Sequence, residues 1–250
     1  KENQITELNP SATPSATRAA GARAGVQPLY VLYGWLAFLA FTLSALAVIL
    51  FVPGLRRRRR LAMSFARGFF KSTGISISIS GAERLPAGPC VLVANHASYL
   101  DGMVACAALP PDFAFVIKKE MLRVPLAGLL LRRLGSEFVE RNDRHRGAAD
   151  ARRVLKTAAS GQSLVFFPEG TFDATRHIRK FHRGAFATAA RLNLPIVAVA
   201  IHGARNALPA DSIMLRRNPI RFEILAVLHG EDARTTSRAL IAEAVGEPLA

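Results

Sequence analysis

A histidine and an aspartate stand five positions apart in the segment VLVANHASYLDG, at His96 and Asp101. An imidazole can take a proton from an alcohol near neutral pH, and a carboxylate on its other ring nitrogen fixes its tautomer and orientation. An apolar, strand-like run at 90–94 precedes the pair and a helical pattern follows it. The pair therefore falls on a strand-to-helix turn. The spacing alone is a weak signal, because a turn histidine and a helix-capping aspartate give the same pattern.

A second polar turn follows another apolar run in the segment SLVFFPEGTF, residues 163–172. Gly170 permits close approach of a ligand or a positive φ angle. Glu169 follows three apolar residues, so we expect it to be partly desolvated and to need a partner. That partner is a substrate hydroxyl or a cation, and a buried structural salt bridge is the alternative. Two strands that end in ionisable residues predict a shared site at one edge of a sheet.

The residue types favour direct transfer of a group between two bound molecules. Gly-x-Ser-x-Gly is absent, and no serine or cysteine has the setting of a covalent nucleophile. The base would then activate a hydroxyl of the substrate itself, in a site that also holds an anionic head group. Arginine can bind phosphate through two parallel hydrogen bonds. Basic residues recur after the predicted strands and the second turn, at Lys118, Lys119, Arg141, Arg179, Lys180 and Arg183.

Strand and helix patterns alternate from residue 71 onwards, which predicts an α/β domain with a mixed sheet covered by helices. Strands are predicted at residues 75–79, 90–94, 113–117, 138–139, 164–167, 196–201 and 222–227. Helices are predicted at residues 103–109, 126–134, 148–159, 184–192 and 236–245. This single catalytic domain, 71–250, is long enough to bury a sizeable core.

The amino-terminal part of the chain has a different composition. Residues 1–28 are rich in Ala, Ser, Thr, Pro and Gly, which predicts a disordered tail or linker to a domain that precedes Lys1. Residues 29–55 form a membrane-anchoring segment, because no charge occurs from position 29 to 52 and aromatic residues lie near its start. Residues 56–70 form a basic juxtamembrane helix. A re-entrant or surface-lying anchor is the alternative to a spanning helix.

The formal net charge of +15 favours an anionic partner. The densest cluster, the arginines 56–60, directly follows the apolar segment, so lipid head groups are a better fit than nucleic acid. No stacking aromatics interleave with the basic residues, which disfavours a nucleic-acid partner. The two cysteines, Cys90 and Cys106, have no metal-ligand spacing, so neither a metal site nor a disulfide scaffold is expected.

Four ordered segments resemble the glycerolipid acyltransferases, the family typified by bacterial lysophosphatidic acid acyltransferase. They are NHASYLD (95–101), KKEMLRVPLAGLLLRRLGSEFVER (118–141), FPEGTF (167–172) and LPIVAVAIHG (194–203). The resemblance implies that His96 is the general base and that Asp101 orients it. It also implies phosphate binding by Arg141, a glycerol-phosphate contact at Glu169, Gly170 and Thr171, and an acyl pocket shaped in part by Pro195.

Three positions depart from the pattern of the family. Phe172 stands where many members have arginine, and loss of that charge is expected to alter the accepted head group. The segment Phe181–Gly184 lacks the usual lysine, which Lys180 or Arg183 would replace. Ala198 stands where a second proline is common.

The predicted function is transfer of a fatty acyl group from acyl-CoA or acyl-carrier protein to a lysophospholipid, with 1-acylglycerol 3-phosphate as the acceptor. Lys119, Lys180 and Arg183 are added to the predicted substrate contacts, and no cofactor or metal is expected. The positive-inside rule predicts that the catalytic domain lies on the cytoplasmic face. The resemblance implies that the membrane is a bacterial-type inner membrane. The alternatives are a different acceptor, such as lyso-ornithine lipid, and a non-catalytic module that binds anionic lipid.

Overall fold

The computed structural model of the protein describes residues 28–140 and 144–250, and a seven-stranded sheet lies at its centre. The strands are β1 (Ile77–Ser80), β2 (Val91–Ala94), β3 (Phe113–Lys118), β4 (Glu137–Val139), β5 (Ser163–Phe166), β6 (Ile196–His202) and β7 (Ile220–Leu228). Their order is β1-β7-β6-β2-β5-β3-β4, with β6 and β7 antiparallel and the other neighbours parallel. The predicted fold class is confirmed.

Helices cover both faces of this sheet. In the described residues they are α1 (Pro28–Phe51), α2 (Leu55–Thr73), α3 (Asp101–Ala108), α4 (Ala127–Arg133), α5 (Arg144–Ala159), α6 (Gly184–Leu192), α7 (Ala204–Ala207) and α8 (Ala233–Val245), with 3-10 segments at Ala82–Arg84 and Lys119–Arg123. The predicted helices are present with shifted ends. The short helix α7 was not predicted, because four residues are too few to show a period.

The central strand β2 explains where the core lies. All four of its residues are buried, as expected for a strand covered on both faces. Leu92 and Ala94 pack into the large cluster that also holds Phe69 of α2, whereas Val91 and Val93 pack against α6 on the other face. The strands β2 and β5 are parallel neighbours, so their carboxyl ends meet at the same edge of the sheet.

The helices α1 and α2 form an antiparallel hairpin that lies on one side of the α/β domain. The hydroxyl of Tyr30, near the start of α1, donates to the carbonyl of Thr73 at the end of α2, over 2.9 Å. At the other end, the guanidinium of Arg133 in α4 donates to the carbonyl of Leu50. The turn between the helices uses Gly54 at a φ angle of 82°, a region that suits glycine. Both ends of α1 therefore contact the α/β domain or the helix that leads directly into it.

Within the described residues, α1 alone is long and apolar enough to cross a membrane, with a mean hydropathy of 2.2. Only 22% of its apolar window is buried inside the protein. The prediction for residues 1–28 concerns residues outside the described part of the chain, apart from Pro28.

The five arginines at the start of α2 do not share one environment. Arg59 is buried, and its guanidinium donates to the carbonyls of Leu134 over 2.9 Å and of Gly135 over 3.2 Å. Burial lowers the pKa of Arg59. Arg56 forms a surface ion pair with Asp112 over 3.0 Å. The run is therefore partly structural, and only some of its members are available to lipid.

Candidate active site

The residue His96 lies directly beyond the carboxyl end of β2, and Asp101 is the first residue of α3. The predicted contact is present, since Nδ1 of His96 lies 2.9 Å from Oδ2 of Asp101. The side chain of Asp101 is fully buried, whereas 21% of the His96 side chain is exposed. One ring nitrogen therefore faces a buried carboxylate, and the opposite nitrogen is left for a substrate.

The same carboxylate oxygen fixes the turn that carries the histidine. Oδ2 of Asp101 also accepts the backbone N–H groups of Ala97 over 2.6 Å and Ser98 over 2.8 Å. A negative charge at this position also suits the amino-terminal end of α3. Charge, turn geometry and imidazole orientation therefore depend on one side chain.

The neighbouring strand β6 holds the same turn from the other side. The amide of Asn95 donates to the carbonyl of Ile201 over 3.0 Å and accepts the N–H of the same residue over 2.7 Å. Ser98 donates to the carbonyl of Leu208 over 2.7 Å. Asparagine and serine are common in turns for local reasons, so the sequence does not reveal these distant backbone partners.

The carboxylate of Glu169 is bonded within the protein. Oε1 accepts the backbone N–H of His96 over 2.7 Å, and Oε2 accepts the N–H of Arg179 over 2.8 Å. Burial raises the pKa of Glu169, although the two N–H donors favour the charged form. The predicted contact of Glu169 with the head group stays a prediction, and the structure adds a second role for the same carboxylate. Glu169 joins the histidine turn to residues 170–179 and so holds His96 in position.

Two phenylalanines contact the imidazole of His96. The ring of Phe167 is stacked on it with centroids 4.5 Å apart, and the ring of Phe172 lies 4.3 Å away at an angle of 56°. Tyr99 meets Phe172 edge-on at 4.8 Å and is itself exposed. These side chains limit solvent access to the imidazole. The sequence analysis noted Phe172 only as a missing arginine and did not predict either ring contact.

A cavity of about 400 Å³ begins at His96 and runs between the α1–α2 hairpin and the catalytic domain. Its lining is overwhelmingly apolar, and among the described residues Lys118 is the one Lys, Arg, Asp or Glu side chain that contributes to it. The walls from the hairpin are Phe38, Phe41, Thr42, Ala45, Ala62, Phe65, Ala66 and Phe69, and Gly170 and Thr171 lie at the histidine end. Such a cavity suits an extended hydrocarbon chain whose reactive end lies beside the imidazole.

The predicted cations are dispersed. Lys118 lines the cavity, whereas Lys119, Lys180 and Arg183 do not, and the last two are exposed. Arg179 is paired with the carboxylate of Asp173. The predicted phosphate contact Arg141 lies outside the described residues. Among the described cations, geometry therefore supports Lys118 in place of Lys119 as a group that a substrate could meet.

In the part of the chain that the structure describes, no group of three or more His, Cys, Asp or Glu side chains could hold a metal ion. Both cysteines are free. Burial raises the pKa of Cys106 to about 11, so its thiol is a poor nucleophile.

A comparison with known families decides where this arrangement belongs. The model of the family described as Acyltransferase matches residues 76–202, which include both polar turns and the strands that carry them. The chain belongs to the Acyltransferase family. The predicted resemblance is confirmed.

Curated members of the family are similar over most of the catalytic domain. The chloroplastic 1-acyl-sn-glycerol-3-phosphate acyltransferase of Arabidopsis thaliana is 30% identical over 68% of this chain and 49% of its own length. The lyso-ornithine lipid O-acyltransferase of Pseudomonas aeruginosa is 31% identical over 61% of this chain and 57% of its own length. The chain thus spans about half the length of the curated relatives it matches.

A solved structure shares the fold. The crystal structure of the 1-acyl-sn-glycerophosphate acyltransferase PlsC from Thermotoga maritima superposes with a TM-score of 0.69, covering 87% of this chain and 92% of that one. The sequence identity is 19%, so this likeness concerns the fold alone.

Proposed function

We propose that the protein transfers a fatty acyl group from an acyl thioester to the free hydroxyl of a lysophospholipid. One observation carries the proposal: the His96–Asp101 pair lies at the end of an apolar cavity large enough for a hydrocarbon chain. A base beside an apolar cavity suits a reaction in which a lipid alcohol meets an activated acyl group.

The proposed chemistry uses the ring nitrogen that does not face the carboxylate. In the proposed tautomer, the N–H at Nδ1 of His96 donates a hydrogen bond to the carboxylate of Asp101, so Nε2 is free to accept the proton of the acceptor hydroxyl. The hydroxyl oxygen attacks the thioester carbonyl, and the tetrahedral intermediate expels the thiolate. The proton on Nε2 then passes to that thiolate. The buried charge of Asp101 stabilises the imidazolium between the two transfers.

The acceptor is proposed to be 1-acylglycerol 3-phosphate, the substrate class in the names of several relatives. Acyl-CoA or acyl-carrier protein is the proposed donor. A specific observation favours lyso-ornithine lipid as the second candidate. Phe172, which departs from the expected arginine, covers His96 with an uncharged ring, and one relative is named for that acceptor.

The proposed location is the cytoplasmic face of a bacterial-type inner membrane, with α1 as the anchor. Both ends of α1 are tied to the protein body, by Tyr30 at one end and by the carbonyl of Leu50 at the other. If α1 crossed the bilayer, its two ends would lie on opposite sides, and the partner of one end would have to lie on the far side of the membrane. We therefore favour an anchor that lies along the membrane plane, with its exposed apolar side in lipid.

Acyl transfer from radiolabelled acyl-CoA, measured with each acceptor, tests the proposal. His96→Ala should fold normally but lose about two to four orders of magnitude in turnover. Asp101→Asn should keep an oxygen for the N–H groups of Ala97 and Ser98 and still lose most activity, because the charge is removed.

Two outcomes would contradict the proposal that His96 catalyses acyl transfer to a lysophospholipid. Near-normal turnover in the His96 variant would remove the imidazole from the mechanism. No product from either acceptor with the wild-type protein would favour a module that only binds anionic lipid. Rescue of a strain that lacks its own lysophosphatidic acid acyltransferase would assign the acceptor.

A further inference from the structure

Two apolar turns outside the α1–α2 hairpin are exposed. The first, called tip A, consists of Val124, Leu126 and Leu129, whose exposed fractions are 43%, 40% and 45%. The second, tip B, consists of Ile213 and Met214, with exposed fractions of 68% and 42%. None of these five side chains lines the cavity at His96. Neighbouring large apolar side chains of this exposure indicate a contact surface.

The two tips lie at opposite ends of α1. Trp35, in the first third of the helix, donates its indole N–H to the carbonyl of Ile213 over 2.8 Å, which places tip B there. At the far end, α4 binds the carbonyl of Leu50 through Arg133, and its residue Leu130 packs beside Ile49. Tip A consists of the turn before α4 and Leu129 within α4. The 15-residue rise along α1 from Trp35 to Leu50 spans about 22 Å, so the tips are well separated.

The exposed side of α1 connects the two tips. Its large apolar side chains recur at helical spacing and form one stripe, consisting of Leu32, Leu36, Leu39 and Leu43. The stripe is exposed along the length of α1 that separates the two tips, whereas Ala45, Leu46 and Ile49 of the same helix are buried.

The backbone at tip A is strained in a way that presents a leucine to the outside. Leu126 has a φ angle of 61° and a ψ angle of −51°, and the N–H of Ala127 donates to the carbonyl of Pro125 over 2.6 Å. This is the rare form of γ-turn with positive φ, a conformation that ordinary side chains avoid. Glycine would be expected at a solvent-exposed turn of this kind. A leucine there is better explained by a contact that uses its side chain.

Exposed arginines flank both tips. Arg123 and Arg132 border tip A, and Arg216 and Arg217 follow tip B. The exposed acidic residues in these stretches are Glu120 and Asp211, so positive charge predominates. Apolar side chains bordered by cations match the boundary between the acyl chains and the head groups of an anionic bilayer.

We propose that tips A and B are two further membrane contacts, which insert their apolar side chains into an anionic phospholipid bilayer at the two ends of α1. The catalytic domain is then held against the bilayer at three places, and the cavity between the hairpin and α4 opens towards lipid. The inference rests on the membrane association in the proposed function and is independent of the acyl-transfer step.

Single-cysteine reporters test the contact directly. The native thiols are hindered, because Cys90 is fully buried and burial raises the pKa of Cys106 to about 11. Leu129→Cys and Ile213→Cys, labelled with an environment-sensitive maleimide, should brighten on vesicles of 70% phosphatidylcholine and 30% phosphatidylglycerol. Nitroxide lipids should then quench both labels. Wild-type protein gives the background, and Leu36→Cys on α1 reports on the anchor.

A matched control is available on the other face of the sheet. Leu249 is 51% exposed and pairs with Ile178, which packs in the cluster with Ile241 of α8. A label at Leu249→Cys should not brighten on vesicles, and nitroxide lipids should not change its fluorescence. If the label at Leu36 is quenched while those at Leu129 and Ile213 are not, the inference is wrong and the proposed function stands.

Vesicle binding gives a second readout. Ile213→Ser combined with Met214→Ser should weaken binding of the full chain to the same vesicles about tenfold, whereas Leu249→Ser should not change it. Binding equal to wild type in the tip B variant would overturn the contact at that end. Concentration-dependent self-association without vesicles, abolished by the same variant, would assign the surface to a second copy of the chain instead.

Discussion

The ring of Phe172 lies 4.3 Å from the ring of His96, at a position where the resemblance to the glycerolipid acyltransferases leads us to expect an arginine. A cation at that place would attract the head group of the acceptor, whereas a phenyl ring excludes water from the imidazole. The substitution therefore exchanges an electrostatic contact for an apolar cover. Aromatic contacts of this kind contribute about 0.5–1.5 kcal/mol of stabilisation, which is enough to favour the conformation in which the Phe172 ring lies against His96.

Removal of the Phe172 ring should increase hydrolysis of the proposed acyl donor by water. In Phe172→Ala, water gains access to the exposed face of His96, so hydrolysis of the thioester without acceptor should rise several-fold relative to transfer. Release of free thiol, measured with and without lysolipid, gives this ratio. Phe172→Leu is the matched control, since it keeps an apolar side chain and should keep the ratio near that of wild type. An unchanged ratio in the alanine variant would contradict a role in excluding water.

Glu169 should behave as a positioning residue. In Glu169→Gln the side chain keeps one oxygen, but the backbone N–H groups of His96 and Arg179 each need an acceptor. The side-chain NH2 of the glutamine would therefore face one of these N–H groups, and neither can accept a hydrogen bond. We expect a loss of about 1–3 kcal/mol in the free energy of unfolding. Turnover should fall while the KM for the acceptor changes little. A rise in that KM at constant turnover would instead support the predicted contact between Glu169 and the head group.

The strand and the turn that carry His96 and Asp101 could be predicted because their sequence signals are local. The run at 90–94 is apolar at every position and Asp101 stands where a helical pattern begins, so the strand and the turn followed, whereas the His–Asp contact was implied by the family resemblance. The partners of Glu169 were not predictable in this way. They are backbone groups of residues 96 and 179, and nothing in the sequence around either position marks a hydrogen bond to a distant carboxylate.

The arginine run shows the same limit. Five identical residues predict a basic surface, and the helical period does not reveal which of them meets the carbonyls at the end of α4. Likewise, the apolar segment predicted a helix long enough to cross a membrane. Its packing along α2 depends on contacts such as that between Tyr30 and Thr73, which only the folded chain defines.

Arg59 should be required for stability in a way that its neighbour is not. Arg59→Met leaves the buried carbonyls of Leu134 and Gly135 without donors, which should cost about 2 kcal/mol. For a chain of this size that corresponds to a fall of about 4–8 °C in Tm, measured by thermal unfolding in detergent. Arg60 is exposed, so Arg60→Met is the matched control and should change stability by less than about 0.5 kcal/mol. Equal effects of the two variants would show that the contacts of Arg59 contribute little.

The length of the accepted acyl chain should depend on Ala62. This residue lines the cavity at the side where α1, α2 and α4 meet, close to Ala45 and Leu130. Ala62→Phe would fill that side, so transfer from a long-chain acyl-CoA should fall at least about tenfold relative to a medium-chain donor. Ala40 lies on the exposed side of α1, and Ala40→Phe should leave the preference unchanged. If both variants keep the wild-type preference, the acyl chain does not occupy this part of the cavity, and the chemistry proposed for His96 is unaffected.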